Sequence, residues 1–201
     1  MYAISVSHPD KIYRDRTVDF FNQHIEAAVQ LDCDHMVVST GFAYLDVDAE
    51  DAFGWCVEAM GRIAHKAEQE GVTLAVEPFT KYTTHICNEA SQLRRLLRTV
   101  NSPRLTGLAD TDVIATTAVD TFSTFLNVIG PENLGHVHFV DGNPGGHLVP
   151  GDGVLDLDGA LEKLKAIHYT GALGLEVLDR RYVFAPEAAM RQAMDWYKER
   201  I

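Results

Sequence analysis

The sequence predicts an α/β chain organised on a parallel β-sheet, and three observations carry that prediction. Short apolar runs alternate with stretches of helical periodicity along the 201-residue chain, the pattern of repeated βα units. Three of the runs close on a carboxylate: Thr73–Glu77, Leu105–Asp110 and Leu173–Glu176. A fourth, Leu134–Asp141, alternates so that His136 and His138 share one face while Val137 and Phe139 share the other. Glu77, Asp110, His138 and Glu176 stand 33, 28 and 38 residues apart. Each interval is about one βα unit, for which roughly 30 residues is usual.

Each element has its own signal. Tyr2–Ser7 alternates and reads as a weak first strand, closed by His8-Pro9-Asp10. Residues 15–31 place Val18, Phe21, Ile25 and Val29 at helical spacing. Met36–Ser39 is a short buried strand running into Thr40-Gly41. Residues 48–70 form a long helix with Phe53, Val57, Met60 and Ile63 on its inner stripe and Gly71 as its stop. The strand 72–76 is closed by Glu77-Pro78, and Asn88 can cap a helix running to about Val100. Residues 105–109 are the next strand, followed by one helix over 113–129 that Gly130-Pro131 ends. After the histidine strand come a helix over 157–167 and a last strand over 172–177 carrying Glu176. Pro186 opens the final helix. This makes six strand–helix units, the first of them weak. No linker or composition shift divides them, so residues 1–201 read as one domain.

Composition removes several function classes. Apolar content of 46% and charged content of 23% are ordinary for a folded domain. A net charge of -12 repels phosphate backbones, so nucleic acid is not an expected partner. The densest basic run, Arg94, Arg95 and Arg98, is interleaved with Leu93, Leu96 and Leu97 and reads as the solvated face of an amphipathic helix. Cys33, Cys56 and Cys87 have neither metal spacing nor a disulfide framework, which fits a reducing cytoplasm. No stretch is long and apolar enough to span a membrane, and no signal peptide follows Met1.

The chemistry lies at the strand ends. In a parallel α/β sheet or barrel the C-terminal ends of the strands converge on the active face. A single acid there is commonly an exposed helix cap, but Glu77, Asp110 and Glu176 in phase with His138 are a constellation. Carboxylates buried together are costly unless a cation joins them. Oxygen and nitrogen donors without thiolate suit Mn²⁺, Mg²⁺, Co²⁺ or Zn²⁺. Asp112, next to Asp110, reads as a cap or as support for the site. Gly142, Gly145, Gly146 and Gly151 punctuate the loop after the histidine strand, and such a loop can bring backbone close to a ligand.

These residues resemble a known group. Val76-Glu77-Pro78, Asp110, His136-Val137-His138, Pro150-Gly151-Asp152-Gly153 and Leu175-Glu176 look like the sugar isomerase/epimerase branch of the xylose-isomerase-like TIM barrels. Within it, Glu77-Pro78-Phe79-Thr80, Ser102-Pro103-Arg104-Leu105 and the run from His147 to Gly153 are similar to the fructoselysine 3-epimerases. The resemblance implies a (β/α)8-type barrel and a divalent metal held by Glu77, Asp110, His138 and Glu176. It also implies proton exchange at C3 of a ketose between Glu77 and Glu176, through an enediolate that the metal stabilises. His136 and His147 are candidates to bind substrate hydroxyls, and Arg180 to bind a substrate carboxylate or phosphate. A small sugar or sugar-amine is the expected substrate. Val113 stands where many members have a metal-site histidine, which argues against the endonuclease IV branch. Pro144 stands where tagatose- and psicose-type epimerases carry arginine. An aldose–ketose isomerase of the hydroxypyruvate isomerase type, an inosose dehydratase and a non-catalytic remnant of the barrel are the alternatives.

Length is the main departure. A full barrel typically needs about 250 residues. About two βα units are therefore expected to be missing on the N-terminal side, either by truncation or with the open side closed against another copy in a homo-oligomer. The metal site is expected to survive that shortening, and substrate contacts from the first strands to be lost.

Overall fold

The structure is a computed structural model that describes residues 4–42, 44, 46–117 and 119–200. Five parallel strands form one sheet in the order β1-β2-β3-β4-β5: β1 His35–Ser39, β2 Thr73–Glu77, β3 Leu105–Asp110, β4 Leu134–His138 and β5 Leu173–Gly174. Sequential order with every pair parallel is the topology of a βα barrel, here an open five-stranded arc. Helix α1 (Lys11–Gln30) precedes β1. The crossovers are α2 (Ala49–Glu70), α3 (Ala90–Val100), α4 (Thr111–Ala115) with α5 (Phe122–Ile129), and α6 (Leu157–Ala166). Helix α7 (Pro186–Lys198) follows β5.

The period-2 alternation of the strands separates the two faces of the sheet. Val38, Leu74, Val76, Val137 and Phe139 point outward into the main apolar core under the helices. There they meet the inner stripes of α2 (Met60, Ile63), α3 (Leu93, Leu96), α5 (Phe125, Ile129) and α6 (Leu161, Leu164). Burying each large side chain of this kind contributes roughly 1.5–3 kcal/mol. Gly107 on β3 lets α3 and α5 pack close, since a Cβ there would come 2.9 Å from Leu93 Cδ2 and 3.6 Å from Ile129 Cδ1. The other face carries the polar residues, with Glu77, Asp110 and His138 at its C-terminal rim.

Local signals explain most boundaries. Asp48 caps α2 by accepting from the backbone N–H groups of Glu50 and Asp51, and Gly71 ends it in the left-handed conformation at φ 76°. Helix α1 begins earlier than residue 15, because Asp10 accepts from Ile12 N and fixes its first turn.

Four expectations are corrected. Of Tyr2–Ser7, residues 2 and 3 lie outside the described residues, and residues 4–7 are coil and turn rather than strand. There Ser5 N–H donates to Thr17 Oγ1 at 3.0 Å instead of joining the sheet, leaving five strands among the described residues. Helix α3 is capped by Glu89 with Gln92 in a capping box, and Asn88 instead donates its side-chain amide to Thr84 O. The single helix over 113–129 is two helices. Thr116 and Thr117 turn their hydroxyls back onto Val113 O and Ile114 O, Asp120 accepts from Ala90 N at the start of α3, and Thr121 opens α5 with its own capping box. The last strand is only Leu173–Gly174, since beyond it Leu178 N–H donates to His147 O in the loop rather than to β4.

Candidate metal centre

Strand register brings the acidic rim together. Asp110 pairs across from His138, and both are the last residues of their strands. Glu77 ends β2. His138 is in register with Gly174, so Glu176 lies one side-chain period further along the same face. Single donor atoms of Glu77, Asp110, His138 and Glu176 all lie within 4.8 Å of one another. His138 Nδ1 is their hub, at 3.0 Å from Glu77 Oε1, 3.1 Å from Glu176 Oε2 and 3.4 Å from Asp110 Oδ2.

Asp110 divides its carboxylate between two tasks. Oδ1 accepts from Asp112 N at 2.8 Å and Val113 N at 2.9 Å, capping α4. Oδ2 is buried without a hydrogen-bond partner and faces the cluster. A buried carboxylate oxygen in that state calls for a cation or proton beside it. Three carboxylates and one imidazole, with no thiolate, are a donor set that fits a divalent ion of the Mg²⁺, Mn²⁺, Co²⁺ or Zn²⁺ kind.

Electrostatics split the two glutamates. Burial raises the Glu77 carboxyl above its ordinary value, and the His138 hydrogen bond only partly offsets this. Hydrogen bonds from His138 and His147 bring Glu176 down to about 2. Burial opposes charge on His138, but Asp110, Glu176 and Glu77 outweigh it and raise the imidazole to about 11. Burial likewise opposes charge on His147, and Asp110, Asp112 and Glu176 raise it to about 12. Asp110 is lowered: burial works against its charge, and the two histidines outweigh that.

The other candidates fall in different places. His147, in the glycine-rich loop, approaches the rim with Nε2 at 3.4 Å from Asp110 Oδ2 and 3.5 Å from Glu176 Oε2. His136 lies one step below His138 on the same face, its ring edge-on at 5.4 Å between centroids, and burial lowers its imidazole. A Cβ on Gly174 would come 2.9 Å from His136 Nε2, so glycine there makes room for both rings. Arg180 is exposed on a 3-10 turn (Arg180–Tyr182) and is not among the groups brought together. Asp112 caps no helix and holds His147 instead.

One residue of the site's frame carries no sequence signal of its own. Asp141, 2% exposed, accepts from the backbone N–H of Gly142, Gly151, Gly153 and Leu155, all between 2.8 and 3.0 Å. Its backbone also exchanges two hydrogen bonds with Leu148. It is the knot that closes the loop presenting His147. The glycine-rich run that follows it was the available hint.

Fold and rim together define an α/β barrel enzyme scaffold with its polar site at the strand ends, and the comparisons agree. The chain matches the xylose isomerase-like TIM barrel model over residues 1–200, and it belongs to that family. It is 25% identical over 199 residues to fructoselysine 3-epimerase of Shigella flexneri, covering 98% of this chain and 71% of that protein. It is 30% identical over 118 residues to ketose 3-epimerase of Arthrobacter globiformis, covering 59% of this chain and 39% of that one. Among solved structures, 3-keto-D-glucoside 4-epimerase from E. coli superposes with a TM-score of 0.88 at 19% identity, over 99% of this chain and 76% of its own. D-psicose 3-epimerase from Clostridium cellulolyticum does so at 0.87 and 19% identity, over 100% and 75%. These relatives and neighbours are epimerases, a class of isomerase. Among the described residues no helix is long and apolar enough to cross a membrane.

Proposed function

We propose that this chain is a divalent-metal-dependent sugar epimerase that inverts C3 of a ketose, with fructosamines such as fructoselysine as its substrate class. The observation that carries the reading is the meeting of Glu77 and Glu176, from β2 and from beyond β5, on one imidazole nitrogen at 3.0 and 3.1 Å. Two carboxylates approaching from separate strands suit proton removal from one face of a carbon and return to the other. Glu176, held ionised, is suited to take the C3 proton. Glu77, approaching from the other wall of the rim, is suited to return one. Glu77, Asp110, His138 and Glu176 would hold the divalent ion, which would supply positive charge against oxyanion character at the reacting carbonyl. His136 and His147 bind substrate hydroxyls. The names of the fructoselysine and ketose 3-epimerases at 24–30% identity support the substrate class. The free cysteines fit a cytoplasmic location. Val37, 40% exposed on edge strand β1, fits a homo-oligomer that covers that edge.

The test is incubation of the Mn²⁺-loaded chain with D-fructose and with fructoselysine in D₂O. Deuterium at C3 together with the C3 epimer is the expected result. Deuterium at C1 with an aldose product would reassign the chain to aldose–ketose isomerisation, and no exchange at any carbon would overturn the catalytic reading.

A further inference from the structure

Asp112 is 2% exposed, yet among the described residues no lysine or arginine pairs with it. Both its oxygens go to one residue: Oδ1 accepts from His147 N–H at 3.0 Å, and Oδ2 lies 3.0 Å from His147 Nδ1. A buried carboxylate is costly unless it is paired, and this one spends both oxygens on a single histidine, which ties the placement of that ring to Asp112. The loop is shaped around the contact. A Cβ on Gly142 would overlap Asp112 Oδ1 and Pro144 O, and His147 itself takes φ 49°, a conformation uncommon outside glycine. With Nδ1 turned to Asp112, Nε2 is left facing the Asp110–Glu176 edge of the rim, at 3.4 and 3.5 Å.

We propose that Asp112 is a positioning residue that fixes the ring of His147 through its Nδ1–H, so that Nε2 is held at the Asp110–Glu176 edge, where it meets a ketose hydroxyl. The carboxylate accepts a hydrogen bond from Nδ1–H and keeps Nε2 turned toward the site, the logic by which a buried aspartate orients a histidine elsewhere in catalysis. The role in substrate binding rests on the epimerase reading above. The geometry of Asp112 and His147 does not.

The experiment reads the two separately. Ring-nitrogen NMR of the ¹⁵N-histidine chain loaded with Zn²⁺ is expected to show His147 protonated on Nδ1. Asp112→Asn, whose amide can donate to Nδ1, is expected to remove that proton and leave Nε2 alone protonated. In turnover of a ketose, Asp112→Asn is expected to raise KM about ten-fold, the scale of one hydrogen bond. Zn²⁺ affinity should stay within about two-fold. The same substitution in a His147→Gln background should raise KM no further. A wild-type His147 protonated on Nε2 alone would overturn the proposal, and that observation needs no variant to fold. So would a KM effect that persists without His147, or a second bound metal lost in Asp112→Asn, which would make Asp112 a ligand. A wild-type chain that turns over no ketose would sink the epimerase reading while the tautomers still decide the positioning.

Discussion

The two walls of the rim are built from the same residue type in opposite surroundings. On one wall, β2 has five residues and is paired on both sides by β1 and β3, and Glu77 at its end is 8% exposed. On the other, β5 has two residues paired only with β4, and the Glu176 side chain beyond it is 36% exposed. Burial pushes the first carboxyl up, while two histidines pull the second down to about 2. Placement, not residue type, drives the two carboxyls apart here. It also means that the Glu176 wall depends on a loop and on contacts outside the sheet, whereas the Glu77 wall is held by the sheet itself.

The largest test of that contrast is on turnover. Glu77→Gln and Glu176→Gln are each expected to lower kcat by about 10²–10⁴, the usual worth of a positioned acid or base. Steady-state rates at saturating ketose read it, and a Glu176→Gln variant with near wild-type kcat would break the assignment of that wall. Next is stability on the loop side. Asp141→Ala strands four backbone N–H groups and is expected to cost about 3 kcal/mol or more, lowering Tm by roughly 6–12 °C for a chain of this length. Calorimetry checks it, and an unchanged Tm would show that the loop does not depend on this carboxylate.

Smaller again is Gly174→Ala. Its Cβ would press on His136 Nε2 at 2.9 Å and His138 Cδ2 at 3.2 Å, costing about 1–3 kcal/mol and weakening metal uptake with little effect at Glu77. Thermal melts with and without Mn²⁺ separate the two effects. The gentlest prediction concerns pH. Stability from the raised His138 and His147 is complete below about 6.5 and is lost as pH climbs toward 11 to 12. Stability from the lowered Glu176 is complete above about 4.5 and is lost as pH falls toward 2. After EDTA treatment these groups therefore give their greatest stability between about pH 4.5 and 6.5. Metal affinity should instead rise with pH, because His138 must release a proton to bind. Melts across pH 4–10 test both slopes.

The sheet was readable from sequence because parallel strands buried under helices are apolar runs: β1 to β3 fall within a residue or so of their expected limits, and β4 starts at Leu134 as expected but ends at His138 rather than Asp141. The rim was readable for the related reason that one residue per βα unit recurs at a fixed depth. What failed was local competition. Thr116, Thr117 and Asp120 divert hydrogen bonds that a helix over 113–129 would have used, and Gln92 selects Glu89 over Asn88 as the cap of α3. The role of Asp112 depends on a loop folding back across 35 residues of sequence, and that of Asp141 on the same loop closing on itself across 10 to 14, closures that no periodicity reports. Glu176 was placed in a strand and proves to lie past one, yet its side chain still reaches the rim.

The central claim is that Glu77, Asp110, His138 and Glu176 hold one divalent ion. Metal content and Tm of the purified chain, before and after EDTA and after Mn²⁺ is restored, test it most directly. The account predicts about one ion per chain. At metal near 100 times Kd, stabilisation is about 2.7 kcal/mol, a Tm gain of roughly 5–10 °C that Asp110→Asn abolishes. No bound metal and no Tm response to added Mn²⁺ would contradict it.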